Sequence, residues 1–356
     1  MELGIIGLAK VGKTTLFNTL TSSHQETDKF VSSKKTNMGV AAVPDRRLEA
    51  LRDLFKPRRY VPAAVTYVDV PGVKKGEGAE TLDLAELKNV DALVHVVRAF
   101  HDPEILHPEG SVDPARDIAT LDLELILADH TLLERRVERL EKAVKRGLTP
   151  EEKREQALLT ETLLPWLESE KPLRGLELGP DDARRLRGFQ LLSAKPMLVV
   201  LNVDEADLAR ADAMAEELGG GPGVMVLAVS APIEQEISQL AADEQKEFLA
   251  ELGLHEPSLD RVVRASYALL GLISFFTVGE DEVRAWTIRR STPARQAAGT
   301  IHSDLERGFI RAEVVGWEDL LRLKTLAACR DQGLLRLEGK DYIVADGDVL
   351  HVRFNV

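Results

Sequence analysis

A single cysteine, Cys329, in a chain of 356 residues excludes a disulfide framework and any cysteine-based zinc site, and it suits a reducing compartment. Long hydrophobic runs are missing too. The longest apolar stretch, Ala265 to Phe276, covers roughly twelve residues and is broken by Ser266, Tyr267, Gly271 and Ser274, well short of the ~20 a membrane-spanning helix needs. The amino end lacks the basic stretch and apolar core of a signal peptide. There is no basic excess: 46 Lys and Arg face 59 Asp and Glu, a net charge of −13 that disfavours nucleic acid and anionic membranes except at a local basic patch. What remains is 44% hydrophobic and 29% charged residues, ordinary globular composition. The expectation is a soluble, cytoplasmic protein of two or three domains that binds neither DNA nor membrane.

The first half alternates in the α/β manner. Leu3–Ile6, Val65–Val70, Ala92–Val97, Pro196–Leu201 and Val224–Val229 are β-branched-rich runs of the kind a parallel sheet buried on both faces requires, and helical stretches separate most of them. The fold expected is a doubly wound, mainly parallel sheet formed by residues 1–117 and 191–275. Between them, Ile126, Leu133, Val137, Leu140 and Val144 form a helical seam, and Gly147 stops it. Thr149-Pro150-Glu151-Glu152 then reads as a capping box that opens a second arm, with an apolar stripe of Leu159, Leu163 and Trp166. Residues 118–190 thus read as an inserted helical hairpin. After a helical stretch over Ser258–Leu272, short strands at Glu282–Ile288, Phe309–Val315, Asp341–Val344 and Val349–Phe354, with few helices between them, suggest a small α+β, β-grasp-like domain over 276–356.

Gly7-Leu8-Ala9-Lys10-Val11-Gly12-Lys13-Thr14 matches G-x-x-x-x-G-K-S/T directly between a strand and a helix. Glycines let the backbone wrap a phosphate with its N–H groups inward, and the helix N-terminus adds partial positive charge. Ala9 to Thr15 form the phosphate cradle, Lys13 reaches the β- and γ-phosphates, and the Thr14 hydroxyl ligates Mg²⁺. Asp69-Val70-Pro71-Gly72 ends a predicted strand, placing a carboxylate toward the Mg²⁺ water shell and the Gly72 N–H at the γ-phosphate. Asn202-Val203-Asp204-Glu205 stands where switch GTPases carry N-K-x-D. Val203 replaces the lysine that covers the base, and Glu205 replaces the guanine-binding aspartate with one extra methylene, which weakens guanine preference. Ser230-Ala231 places a backbone amide near the base. Val73 follows Gly72 where many GTPases have the glutamine that orients water, and an aliphatic side chain cannot do so.

These motifs, with His95-Val96-Val97-Arg98, Glu282 to Thr287, Lys340 to Val344 and the ending Phe354-Asn355-Val356, closely resemble the YchF-type Obg-like ATPases along nearly the whole chain. The resemblance implies an Obg-related P-loop domain, a helical hairpin and a C-terminal TGS domain. It also implies ATP preferred over GTP, Mg²⁺ dependence, Val73 as the hydrophobic replacement of the glutamine, and ribosome association. A family histidine that assists hydrolysis from a mobile loop falls in register on His107, with His101 as the fallback. Ser33 falls on the Mg²⁺-ligating switch threonine. Ala9 and Lys10 depart from the Pro-Asn of the family's loop, and the Lys10 ammonium could stand in for a monovalent cation there.

On an otherwise acidic chain, Arg135, Arg136, Arg139, Lys142, Lys145 and Arg146 form a local basic patch at the far end of the hairpin, a candidate contact for ribosomal RNA together with the TGS domain. Trp286 and Tyr342 read as packing residues rather than base-stacking platforms. The function expected is a Mg²⁺-dependent, ATP-preferring P-loop hydrolase acting as a conformational switch on the translation machinery. A GTP-preferring switch and a nucleotide-holding regulator with negligible turnover stay as alternatives.

Overall fold

A computed structural model describes residues 1–22, 37–70 and 84–355. The strands among them are β1 (Glu2–Ile6), β2 (Asn37–Ala42), β3 (Arg59–Val61), β4 (Ala64–Asp69), β5 (Ala92–Arg98), β6 (Met197–Asn202) and β7 (Val224–Val229). They continue with β8 (Leu272–Thr277), β9 (Glu282–Arg289), β10 (Phe309–Gly316), β11 (Arg336–Glu338) and β12 (Asp348–Phe354). Contacts divide the chain into two compact units, Met1–Val40 with Thr66–Val262, and Ala41–Val65 with Val263–Val356.

The first unit is built on a six-stranded sheet in the order β2-β4-β1-β5-β6-β7. The pairs β1–β4, β1–β5, β5–β6 and β6–β7 are parallel. Every residue of β5 and β6 is buried, which is why these runs are apolar without alternation. Ile6, Leu93, Val97, Val199 and Leu201 pack with Leu121 and Leu125 of the helix Pro114–Ala143. Asp113 caps that helix by accepting from the Arg116 N–H, and Pro114 occupies its first turn, where a missing N–H costs nothing.

The same helix runs on, across the expected boundary at residue 117, into the hairpin. There Ile126, Leu133 and Leu140 pack against Leu158, Leu159, Leu163 and Leu167. Val144 is exposed, so the buried seam ends one step before its expected end. The return arm opens on the Thr149–Glu152 capping box and contains a π-helical turn at Leu158–Leu163. Asp129 closes the hairpin's base: its buried carboxylate accepts from the Leu192 and Ser193 N–H groups and from Ser193 Oγ.

The second unit holds a six-stranded sheet in the order β11-β10-β12-β8-β9-β3, with Ile273, Phe275, Ile288, Ala312, Val314 and Leu350 at its core. Three of its features differ from the sequence reading. The helix from Ser258 ends at Leu269, and Leu272–Thr277 is a strand, because Gly271 at φ 65° turns the chain. Asp341–Val344 is no strand. It makes one isolated bridge, Pro293 to Ile343, and Tyr342 instead donates its hydroxyl to Asp348. Between β9 and β11 lie four short helices where few were expected.

The segment Ala41–Val65, read from sequence as part of the nucleotide-binding domain, packs within this second unit. β3 pairs in parallel with β9, and Arg47 binds Asp45 at 2.8 Å and Asp346 at 3.1 Å while lying over the Phe276 ring. Trp286 is a packing residue: it stacks on Phe275 and donates its indole N–H to Thr277 Oγ1.

His95, in the middle of β5, is 1% exposed, and neither ring nitrogen has a hydrogen-bond partner among the described residues. Burial, then the positive charges of Arg174 and Lys13, push its pKa down to about 3. The folded chain therefore keeps His95 neutral at a pH where the unfolded chain, with a pKa near 6.5, binds a proton. The contribution is complete above the unfolded value and is lost as pH falls toward 3, at roughly 1.4 kcal/mol per pH unit. In urea unfolding at about pH 7 and about pH 5, His95→Phe should lose less stability on acidification than the parent, by one proton's linkage. Parallel losses in the two proteins would refute this.

Candidate nucleotide site

The C-terminal ends of the parallel strands share one edge of the first sheet, the edge where such sheets bind ligands. β1 runs into Gly7–Gly12 and the helix Lys13–Ser22, β4 ends at Asp69, β5 leads into the loop 99–113, β6 ends at Asn202, and β7 leads into Ser230.

The loop after β1 has the backbone a phosphate cradle requires. A Cβ on Gly7, at φ 149°, would lie 2.3 Å from the Val96 carbonyl oxygen, and one on Gly12, at φ 95°, would lie 2.4 Å from Asn202 Nδ2. Lys10, at φ 63°, adopts a left-handed conformation and is exposed. Lys13 Nζ donates to the Gly7 carbonyl at 2.9 Å and the Leu8 carbonyl at 3.2 Å, so it arches over the loop. Burial lowers the Lys13 pKa, and the Asp69 carboxylate partly opposes that shift. Burial likewise raises the Asp69 pKa against the pull of Lys13. Thr14 is exposed beside Lys13, Ala9 and Thr15 are half-buried, and Val11 is buried beneath the turn.

Asn202 joins two of these segments. Its Nδ2 donates to the Val11 carbonyl and its Oδ1 accepts from the Ala231 N–H, both at 3.0 Å. The side chain expected near the base is thus committed to bracing the phosphate loop against the start of the helix Ala231–Gln239, whose N-cap is Ser230. Val203 is 1% exposed and points into the core. Asp204 accepts the His101 N–H at 3.0 Å, and Glu205 is exposed.

The loop 99–113 is knit closely. Arg98, 2% exposed, donates to the carbonyls of Phe100, Asp102 and Ile105 and stacks over the Phe100 ring at 4.4 Å. His107, expected on a mobile loop, has a side chain only 3% exposed. Its Nε2 lies 3.0 Å from Asp117 Oδ2 without the alignment of a hydrogen bond, and its Nδ1 accepts from the Glu109 N–H. His101 is exposed. Ser33, Gly72 and Val73 lie outside the described residues. Sequence reasoning missed Arg98 and Asp117 as organisers of the site. The signals were there, in an arginine ending an apolar strand and an aspartate in a helix's first turn.

Residues 2–140 match the family described as 50S ribosome-binding GTPase, and residues 272–355 match the YchF GTPase C-terminal family, described as a protein of unknown function. The ribosome-binding ATPase YchF of Bacillus subtilis is 44% identical over the full length of both chains, and that of Escherichia coli O157:H7 is 41% identical over 100% of this chain and 99% of its own. The Obg-like ATPase 1 of rice is 37% identical over 100% and 92%. The solved YchF GTPase of Schizosaccharomyces pombe superposes with a TM-score of 0.88 at 33% identity, covering 99% of this chain and 97% of its own. Sheet, phosphate loop and Asn202 brace together define a P-loop nucleoside triphosphate hydrolase of the switch GTPase fold. Within that class, the chain belongs to the YchF family of Obg-like ATPases.

Proposed function

We infer that this chain hydrolyses ATP in preference to GTP, with Mg²⁺, and changes conformation with its nucleotide while bound to the ribosome. The observation that supports the base preference is the use already made of the N-x-x-acid turn. Val203 is buried, the Asp204 carboxylate is held by the His101 N–H, and the position that would accept two guanine hydrogen bonds carries Glu205, whose extra methylene displaces its carboxylate.

The loop amides of Ala9 to Thr15 and the Lys13 ammonium bind the phosphates, and the anionic tail offsets the burial that weakens Lys13's hold on its proton. The Thr14 hydroxyl and the Asp69 carboxylate, the latter through water, are hard oxygen donors of the kind Mg²⁺ takes, and Gly7 and Gly12 beside them let the loop close tightly on Val96 and Asn202. When bound, Mg²⁺ neutralises charge on the β- and γ-phosphates. With Val73 unable to orient water, His107 supplies the polar group for hydrolysis, which requires its imidazole to leave the pocket beside Asp117. Arg135, Arg139, Lys142 and Lys145 are exposed on the hairpin and suit ribosomal RNA, whereas Arg136 is spent on Glu155 at 2.7 Å.

Competition binding separates the base readings. ATP should bind at least about tenfold more tightly than GTP. A clear guanine preference would overturn the reading of Glu205.

A further inference from the structure

The loop 99–113 carries an inverted pattern of exposure. Leu106 is 79% exposed, while the side chain of the next residue, His107, is 3% exposed. A leucine left in water forgoes hydrophobic gain, so polar contacts must hold the loop this way. Those contacts converge on Asp117, which is 1% exposed. Its Oδ1 accepts from Arg116 Nε at 3.1 Å and Nη2 at 2.8 Å, and Arg116 also reaches Ser111 Oγ and the Ser111 carbonyl. Its Oδ2 faces His107 Nε2 at 3.0 Å. The Glu109 N–H points at His107 Nδ1, which makes Nδ1 an acceptor and leaves Nε2 to carry the proton toward the carboxylate. Nδ1 is therefore engaged, and Nε2 is buried against the Asp117 carboxylate without forming a hydrogen bond, so the ring is packed away from any phosphate oxygen.

We propose that Asp117 is a positioning residue that latches the β5 loop in a resting state, holding His107 out of reach of the nucleotide until the latch opens. This rests on the reading of His107 as the hydrolytic group. The latch restrains turnover and leaves nucleotide affinity untouched, because none of its groups belongs to the phosphate cradle. Asp117→Asn keeps one oxygen for Arg116 and loses the charge that faces His107, whereas Asp117→Ala removes both.

The test is steady-state ATP hydrolysis by the full chain without ribosomes, for the parent, Asp117→Asn, Asp117→Ala, His107→Ala and the Asp117→Ala/His107→Ala pair, with the parent and His107→Ala also measured on ribosomes. Asp117→Ala should raise kcat about three- to tenfold at unchanged KM, with Asp117→Asn between it and the parent and the gain gone in the double variant. A kcat at or below the parent's in a folded Asp117→Ala protein, or a gain that survives loss of His107, overturns the latch. Ribosome-stimulated turnover that His107→Ala leaves intact removes instead the hydrolytic role of His107. Should Asp117→Ala fail to fold, the parent protein decides. A slowly exchanging Glu109 amide and a single Nε2-protonated imidazole for His107 support the latch, and fast exchange with an averaged imidazole signal overturns it.

Discussion

Lys13→Ala should weaken ATP binding by at least about a hundredfold, which corresponds to roughly 2.7 kcal/mol. A charge-assisted hydrogen bond to phosphate contributes about 1.5–3 kcal/mol, and Lys13 supplies the ammonium beside Gly7 and Leu8 that a γ-phosphate would meet. The fold should survive, since the side chain is only partly buried and packs at the surface loop rather than in the sheet core. Lys13→Arg should not restore affinity: a rigid guanidinium fork cannot arch over the loop as a point charge does. Titration calorimetry with ATP, beside thermal melts, separates loss of affinity from loss of fold. Parental affinity in a folded Lys13→Ala protein would remove the phosphate site from this loop.

Much of this site was legible because its signals are local. The phosphate loop is one unbroken string between a strand and a helix, so Lys13–Ser22 and Val224–Val229 have the ends the sequence suggests. The Thr149–Glu152 capping box is likewise a four-residue pattern with its own hydrogen bonds. What escaped was non-local. β3 is three residues long, too short to read as a strand, and it is one only because β9, more than two hundred residues on, pairs with it. Nothing in Arg47 announces Asp346 as its partner. Asn202 was legible as a motif residue and assigned to the base; its brace on Val11 depends on two loops meeting in space. His107 was legible as a register position only, and its burial follows from Asp117, ten residues away in another element.

Asn202 should therefore tolerate neither truncation nor charge. The residue is 4% exposed, and Asn202→Ala would strand a buried carbonyl on Val11 and a buried N–H on Ala231, each costing about 1–3 kcal/mol. The unit should lose roughly 2–5 kcal/mol in denaturant unfolding, a large share of the stability of an ordinary domain. Nucleotide affinity should fall as well, by about tenfold, because the Val11–Gly12 backbone that cradles phosphate loses its brace. Asn202→Asp separates the two bonds. Its carboxylate still accepts from the Ala231 N–H, yet its second oxygen now faces the Val11 carbonyl with no proton between them. It should be no more stable than Asn202→Ala, and parental stability in the aspartate variant would show that the bond to Val11 contributes nothing. Gly12 ties into the same brace. A Cβ there would press on Asn202 Nδ2, so Gly12→Ala should reproduce the affinity loss of Asn202→Ala, and combining the two should cost far less than their sum.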